Sequence, residues 1–354
     1  MSKRRYSTLN ERQRTILNFI EMSKSAPISQ IFEHIQKSQN QVTKITISRD
    51  LTKLREVGML ERQGVGRAVT YHLSPQYSIL KVIDIEQYFA QDTDQREIQK
   101  AFNLAIFSQL TEVFTKAEKT TLVALNEAYR KKIKDIPRDA LRKETERLNI
   151  DFSWKSSKIE GNTYSLLETE QLIKNQQVAS GHTKEEAIMI LNHKKALDYI
   201  GSNKEYFKSV SVAKIENVHS LLVDDLQVTK NIRKTLVGIT GTNYMPLDNE
   251  FQIREALEKA CQAVNETKNV FEKAVLLMLF IAYIQPFVDG NKRTSRLCGN
   301  AILQAFDACP LSYRSMDEIE YKKAMLLFYE QNNISYFKAL FLKQFEFAVE
   351  NYFG

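Results

Sequence analysis

Apolar residues near the start of the chain fall into three short stretches with helical spacing. The first groups Ile16, Leu17, Phe19 and Ile20, and the second covers 28–35 behind Pro27. The third covers 46–57, setting Ile47, Leu51, Leu54 and Val57 on one face and leaving Arg49, Lys53 and Arg55 elsewhere. Gly58 is a helix stop, and residues 59–73 then predict two short strands about Gly64-Val-Gly66, with Arg62 and Arg67 flanking the tip. Residues 76–150 read as a helical connector with a core of its own, in which Pro137 marks a turn or a helix start. The run over 274–284 predicts a buried helix, since it is about half the length that crosses a bilayer. Residues 236–247 hold the clearest β pattern outside the N-terminal unit, with Gly241 central to a turn and Pro246 ending it.

The chain of 354 residues is long for one compact domain, and no Gly/Ser-rich or Pro-rich tether divides it. The pattern gives three units: 1–75, the connector 76–150, and a core over 151–354. With 43% hydrophobic and 26% charged residues the composition is that of an ordinary soluble protein. The formal charge of +7 is contained entirely in residues 1–75, while the remainder balances. That distribution is the footprint of a nucleic-acid-binding module joined to a neutral one, although a basic surface can also be merely soluble. Cys261, Cys298 and Cys309 are sparse and lack any C-x-x-C spacing, which fits a reducing cytoplasm and neither disulfides nor a zinc site. No membrane association is expected.

The strongest chemical signal is Gln285-Pro-Phe-Val-Asp-Gly-Asn-Lys-Arg-Thr-Ser-Arg296. Pro286 stops the buried helix and a new helix starts near Asn291 or Lys292, forcing a loop between them. Gly290 lets backbone approach a ligand closely, and the first amides of the new helix form an anion site. Lys292, Arg293 and Arg296 add cations where the helix dipole disfavours them unless an anion compensates, so the ligand expected is a polyphosphate. Asp289 is the one acid among them and suits Mg²⁺.

This window resembles the signature of the Fic (Fic/Doc) family, H-x-F-x-(D/E)-G-N-(G/K)-R-x-x-R, at Phe287, Asp289, Gly290, Asn291, Lys292, Arg293 and Arg296. The resemblance covers roughly residues 80–340 and implies a mainly α-helical enzyme that moves AMP from ATP to a protein hydroxyl. It implies Asp289 as the metal ligand, with Gly290, Asn291, Lys292, Arg293 and Arg296 binding the ATP phosphates. Histidine, the family's general base, is replaced by Gln285, whose amide cannot accept the target's proton, so catalysis is expected to be impaired. Lys292 is also found in the related Doc toxins, which transfer phosphate, and a non-catalytic nucleotide-sensing regulator is a further alternative.

Two other segments fit the same resemblance. Residues 236–247 are similar to the family's β-hairpin flap, which holds a target segment by strand addition through Gly238, Ile239, Thr240, Gly241 and Thr242. Ser156, Glu160 and Gly161 fit the inhibitory pattern (S/T)-x-x-x-E-(G/N), in which a glutamate pairs with the last arginine in place of a γ-phosphate. The three predicted helices and basic hairpin of residues 1–75 resemble a winged helix-turn-helix, which implies DNA contacts by Ser48, Arg49, Lys53, Arg62 and Arg67. Such a unit can also serve protein contacts alone. The resemblance further implies a protein substrate and allows a homodimer.

Overall fold

The computed structural model describes residues 9–38, 42–74 and 76–353. Pro75, the expected end of the first unit, lies outside them.

The N-terminal unit contains α1 (Glu11–Ser23), β1 (Ser25–Ala26), α2 (Ile28–Ser38), α3 (Lys44–Glu56), β2 (Leu60–Gln63) and β3 (Thr70–Leu73). Asn10 starts α1 with a capping box, its Oδ1 accepting from the Gln13 amide at 2.8 Å while Gln13 Oε1 accepts from the Asn10 amide at 3.2 Å. The strands form an antiparallel sheet in the order β1-β3-β2, with Ser25 opposite His72 and Leu60 opposite Leu73. Ile47, Leu51 and Leu54 of α3 are buried with Ile16, Leu17 and Ile20 of α1. Asp50 joins that inner face, against its polar character. It accepts from Arg12 Nε at 2.5 Å and from Gln13 Nε2 at 2.8 Å, the pairing that a buried carboxylate requires.

The connector begins with short helices, α4 (Tyr77–Leu80), α5 (Ile85–Phe89) and α6 (Ile106–Gln109), followed by α7 (Lys116–Asp135). Pro137 caps α8 (Arg138–Ile159), where its missing N–H costs the helix nothing. Helix α8 runs unbroken through position 150, so the expected edge between connector and core falls inside one helix. That continuity delivers Ser156 and Glu160 to the core.

The core continues with α9 (Leu166–Asn175), α10 (Lys184–Ser202), α11 (Val212–Leu222), α12 (Glu250–Glu266), α13 (Val270–Ile284), α14 (Asn291–Ala305), α15 (Glu318–Gln331) and α16 (Ser335–Asn351). Every residue of 274–284 is buried, which makes α13 the central helix, with α12, α14 and α15 packed on it. Helix α14 approaches it closely because Gly299 faces Met278. A Cβ at Gly299 would lie 2.5 Å from Met278 Cγ, inside any real contact. The three cysteines are free and buried. Among the described residues no helix is long and apolar enough to cross a membrane.

The expected hairpin over 236–247 is corrected here. The segment turns at Thr240-Gly241 but forms no ladder, and the one β bridge recorded within it pairs Met245 with Ala101 in parallel. Its backbone is fastened from outside instead. Arg233 donates from Nη1 to the Thr235 carbonyl at 2.7 Å and from Nη2 to the Leu247 carbonyl, clamping the two feet of the loop.

Candidate functional site

Helix α13 ends where Gln285 adopts the left-handed conformation, φ 51°, and Pro286 removes the next donor. The chain re-enters a helix at Gly290, φ 82°, the N-cap of α14. Between them Phe287 is fully buried and stacks on His219 with 3.6 Å between ring centroids and a 4° interplanar angle. His219 Nε2 donates to the Asp289 carbonyl at 2.9 Å. Burial holds the imidazole down to about 4, against its carbonyl partners, so the ring is neutral and clips the loop rather than titrating near neutrality. His219 is thus the one histidine brought to the loop, but it is completely buried and not part of the cleft lining.

Gln285 is 6% exposed and its amide is occupied. Nε2 donates to the Ala282 carbonyl at 2.6 Å, and Oε1 accepts from Asn291 Nδ2 at 3.0 Å. Asn291 also donates to the Phe287 carbonyl at 2.7 Å and accepts from the Phe287 amide at 2.8 Å. Its side chain therefore shapes the loop, while its backbone amide, at the first position of α14, has no acceptor within the helix.

The cations divide into two layers. Lys292 faces the cleft, whereas Arg293 and Arg296 are 2% and 0% exposed. Arg293 Nη2 donates to Asp289 Oδ2 at 2.9 Å, while its buried Nη1 has no partner. Arg296 donates from Nε to Ser156 Oγ at 3.0 Å and from Nη2 to the Ser156 carbonyl at 2.8 Å and to Glu160 Oε1 at 3.0 Å. The other Glu160 oxygen accepts from Lys292 Nζ at 3.1 Å. Burial pushes the Glu160 carboxyl up, but Arg296 and Lys292 outweigh it and hold the group down at about 2. Gly161 follows at φ 103° and turns the chain away from the end of α8.

Beside these groups opens a cleft of about 450 Å³. Of the sequence-predicted residues, the cleft brings together Glu160, Gly238, Ile239, Thr240, Gln285, Asp289, Gly290, Asn291 and Lys292. Gly241 and Thr242 lie outside its lining, and Ser156, Arg293 and Arg296 stand behind it. Lys322, Met325 and Tyr329 of α15 complete the wall. No local motif announces them, because α15 reaches the site only through tertiary packing. Tyr329 is fully buried and its hydroxyl is pushed well above the ordinary tyrosine range by burial, so it stays protonated at neutral pH. Among the described residues there is no group of three or more His, Cys, Asp or Glu able to hold a metal. Asp289, with a side chain 62% exposed, is the loop's only carboxylate. A hard cation there would draw its other ligands from phosphate and water, as Mg²⁺ does.

In the N-terminal unit, Ser48, Arg49 and Lys53 are exposed along one side of α3, and Arg62 is exposed on β2. The Arg67 side chain lies outside the described residues.

A glycine-capped loop between two helices, with a buried arginine pair behind it, thus sits at the centre of a mainly α fold. Residues 209–303 match the model of the Fic/DOC family, and the chain carries a Fic/DOC family domain. A protein adenylyltransferase Fic from Nematostella vectensis is 28% identical over 177 residues, 48% of this chain and 40% of the relative, so the chain spans less than half of that protein. Among solved structures, the fold is similar to Fic-1 (residues 134–508) from C. elegans, with a TM-score of 0.57 and 21% identity over 66% of this chain and 71% of the other. It is also similar to a Fic domain containing signaling protein from Bacteroides thetaiotaomicron, with a TM-score of 0.55 and 16% identity over 66% and 94%.

Proposed function

We propose that the core binds ATP with Mg²⁺ and is built to transfer AMP to a protein hydroxyl, restrained by Glu160 and impaired by Gln285. The observation that carries this reading is the grip of Glu160 and Ser156 on Arg296, with an unpartnered buried nitrogen on Arg293 beside it. A buried guanidinium N–H without an acceptor is costly, and a phosphate oxygen is the acceptor that the loop is shaped to admit. The amides of Asn291 and Lys292 and the Lys292 ammonium would hold phosphates, with Arg293 and Arg296 completing the set once Glu160 withdraws. Mg²⁺, with Asp289 as ligand, would neutralise phosphate charge.

In AMP transfer the acceptor oxygen bonds to the α-phosphorus, pyrophosphate departs, and the hydroxyl proton needs a base. Gln285 cannot take that proton, and its amide is already spent on Ala282 and Asn291. The same observation favours a second reading, a regulator whose core senses nucleotide without turnover. The N-terminal unit supports a DNA-binding role in either case. Its helix and strand order and the exposed Ser48, Arg49, Lys53 and Arg62 suit a winged helix-turn-helix with α3 in the major groove.

The test is incubation with α-labelled and, separately, γ-labelled ATP of the chain, of Gln285→His, and of Gln285→His with Glu160→Gly. Protein label from the α position in the double variant is expected. Label from γ alone selects phosphoryl transfer, and no label from either nucleotide defeats the enzymatic reading.

A further inference from the structure

The segment 236–247 has no ladder of its own, so its position depends on what holds it. Arg233 fixes its feet. Its second half is committed to the connector: Asn243 Nδ2 donates to Asp94 Oδ1 at 2.8 Å, and the Met245 amide donates to the Lys100 carbonyl at 2.8 Å. Its first half, Val237, Gly238, Ile239 and Thr240, faces the cleft. At the turn between the halves, the Gly241 carbonyl accepts from Arg96 Nη2 at 2.5 Å, its one side-chain hydrogen bond among the described residues.

Arg96 is an unusual residue to find there. It is 8% exposed, lies over the rings of Tyr88 and Phe89, and pairs with Glu330, which is wholly buried, at 2.9 Å. Glu330 is held in turn by the Tyr88 hydroxyl at 2.7 Å, and its carbonyl accepts from the Gln99 amide at 2.9 Å. It follows Tyr329 on α15, the residue that lines the cleft and whose hydroxyl lies 3.5 Å from Gln285 Nε2. A buried ion pair contributes little net stability against an apolar replacement, whereas its fixed geometry can define one arrangement over others. Here that geometry links the loop turn to the helix that walls the site.

We propose that Arg96, anchored on Glu330, is a positioning residue that sets the turn of 236–247 over the cleft, so that an extended acceptor segment docks in register only while residues 93–101 are seated. This rests on the reading of 236–247 as the acceptor-binding loop. It adds a determinant from outside the family-matched region, since residue 96 precedes position 209. It also joins acceptor docking to the connector that leads from the N-terminal unit.

The experiment has two arms. Hydrogen exchange of the full chain is compared with Arg96→Met and with the double variant Arg96→Met/Glu330→Gln, which avoids a stranded buried charge. Exchange of the Met245 amide, which donates to the Lys100 carbonyl, is expected to rise tenfold or more in both, with the α13 and α14 amides and ATP affinity unchanged. In the second arm, carried in Gln285→His/Glu160→Gly, α-labelled ATP and a mixture of Ser-, Thr- and Tyr-centred nonapeptides serve as probes. Arg96→Met should raise KM for peptide several-fold with kcat and the KM for ATP unchanged, and Arg96→Lys should restore much of it. Met245 exchange within twofold of the parent overturns the proposal, as does a fall in kcat without a change in peptide KM. If the parent double variant transfers no label, the transferase reading fails and the exchange arm alone decides for Arg96.

Discussion

Arg296 and Glu160 meet at 3.0 Å across 136 residues of sequence, and Ser156 takes two further donors of the same guanidinium. On the proposed reading, one carboxylate oxygen of Glu160 takes the place on Arg296 that a terminal phosphate oxygen would occupy. Lys292 holds the second oxygen, so withdrawal of Glu160 frees two cations. With its carboxyl held down at about 2, Glu160 is ionised at every pH at which the chain would be assayed.

Restoring the base should restore proton transfer. Gln285→His occupies a left-handed position that histidine tolerates better than most residues, so the fold should survive. In the Glu160→Gly background the transfer rate should rise by about 10²–10⁴ over Gln285 and depend on an ionisation near neutrality. A pH profile of label incorporation checks both.

Asp289→Asn should abolish the effect of Mg²⁺ on ATP affinity, because it removes the loop's only carboxylate. It also replaces the charged 2.9 Å partner of Arg293 with a neutral amide. Titrating ATP with and without Mg²⁺ checks this, and an unchanged Mg²⁺ dependence would remove Asp289 from the metal's ligands.

The loop is legible in sequence because it is local: a proline and a glycine within twelve residues end one helix and start the next, and the three cations follow in its first turns. The pairing of Glu160 with Arg296 follows from the resemblance rather than from spacing. What stays hidden depends on packing. Arg96, His219 and Glu330 stand in ordinary amphipathic or polar stretches, and only the folded chain brings them to the loops they fasten. The hairpin expected over 236–247 fails for the same reason, since its alternating pattern is satisfied by Arg233, Arg96 and the connector rather than by a ladder. In the N-terminal unit the helices and strands are legible, while Asp50 is not, because its burial needs Arg12 and Gln13 from another helix.

Acid should destabilise the fold in two steps. His219 is held down at about 4, so the unfolded chain binds its proton first, and stability present above about pH 6.5 is lost as pH falls toward 4. His193, held well below its ordinary value by burial, acts in the same direction. Glu160, with its folded value at about 2, adds a loss below about pH 4.5. Thermal melts from pH 7.5 to 4 should show less acid sensitivity in His219→Gln than in the parent.

Gly299→Ala should cost about 1–3 kcal/mol, since its Cβ would meet Met278 Cγ at 2.5 Å between the two helices that carry the loop. Urea denaturation measures it, and a neutral change would mean that the Met278 side chain moves aside without cost.

If α3 enters DNA, replacing Arg49 and Lys53 with alanine should weaken binding across sequences and reduce the salt slope by about 2. Fluorescence anisotropy with duplex DNA at several salt concentrations reads both quantities.

The most direct measurement is calorimetric titration of ATP and of AMP, with Mg²⁺, into the chain and into Glu160→Gly. ATP should bind about tenfold or more tightly to the variant, the scale of one freed charge-assisted contact, while AMP affinity stays the same. Equal ATP affinity for the two proteins would contradict a brake in which Glu160 stands in for phosphate on Arg296.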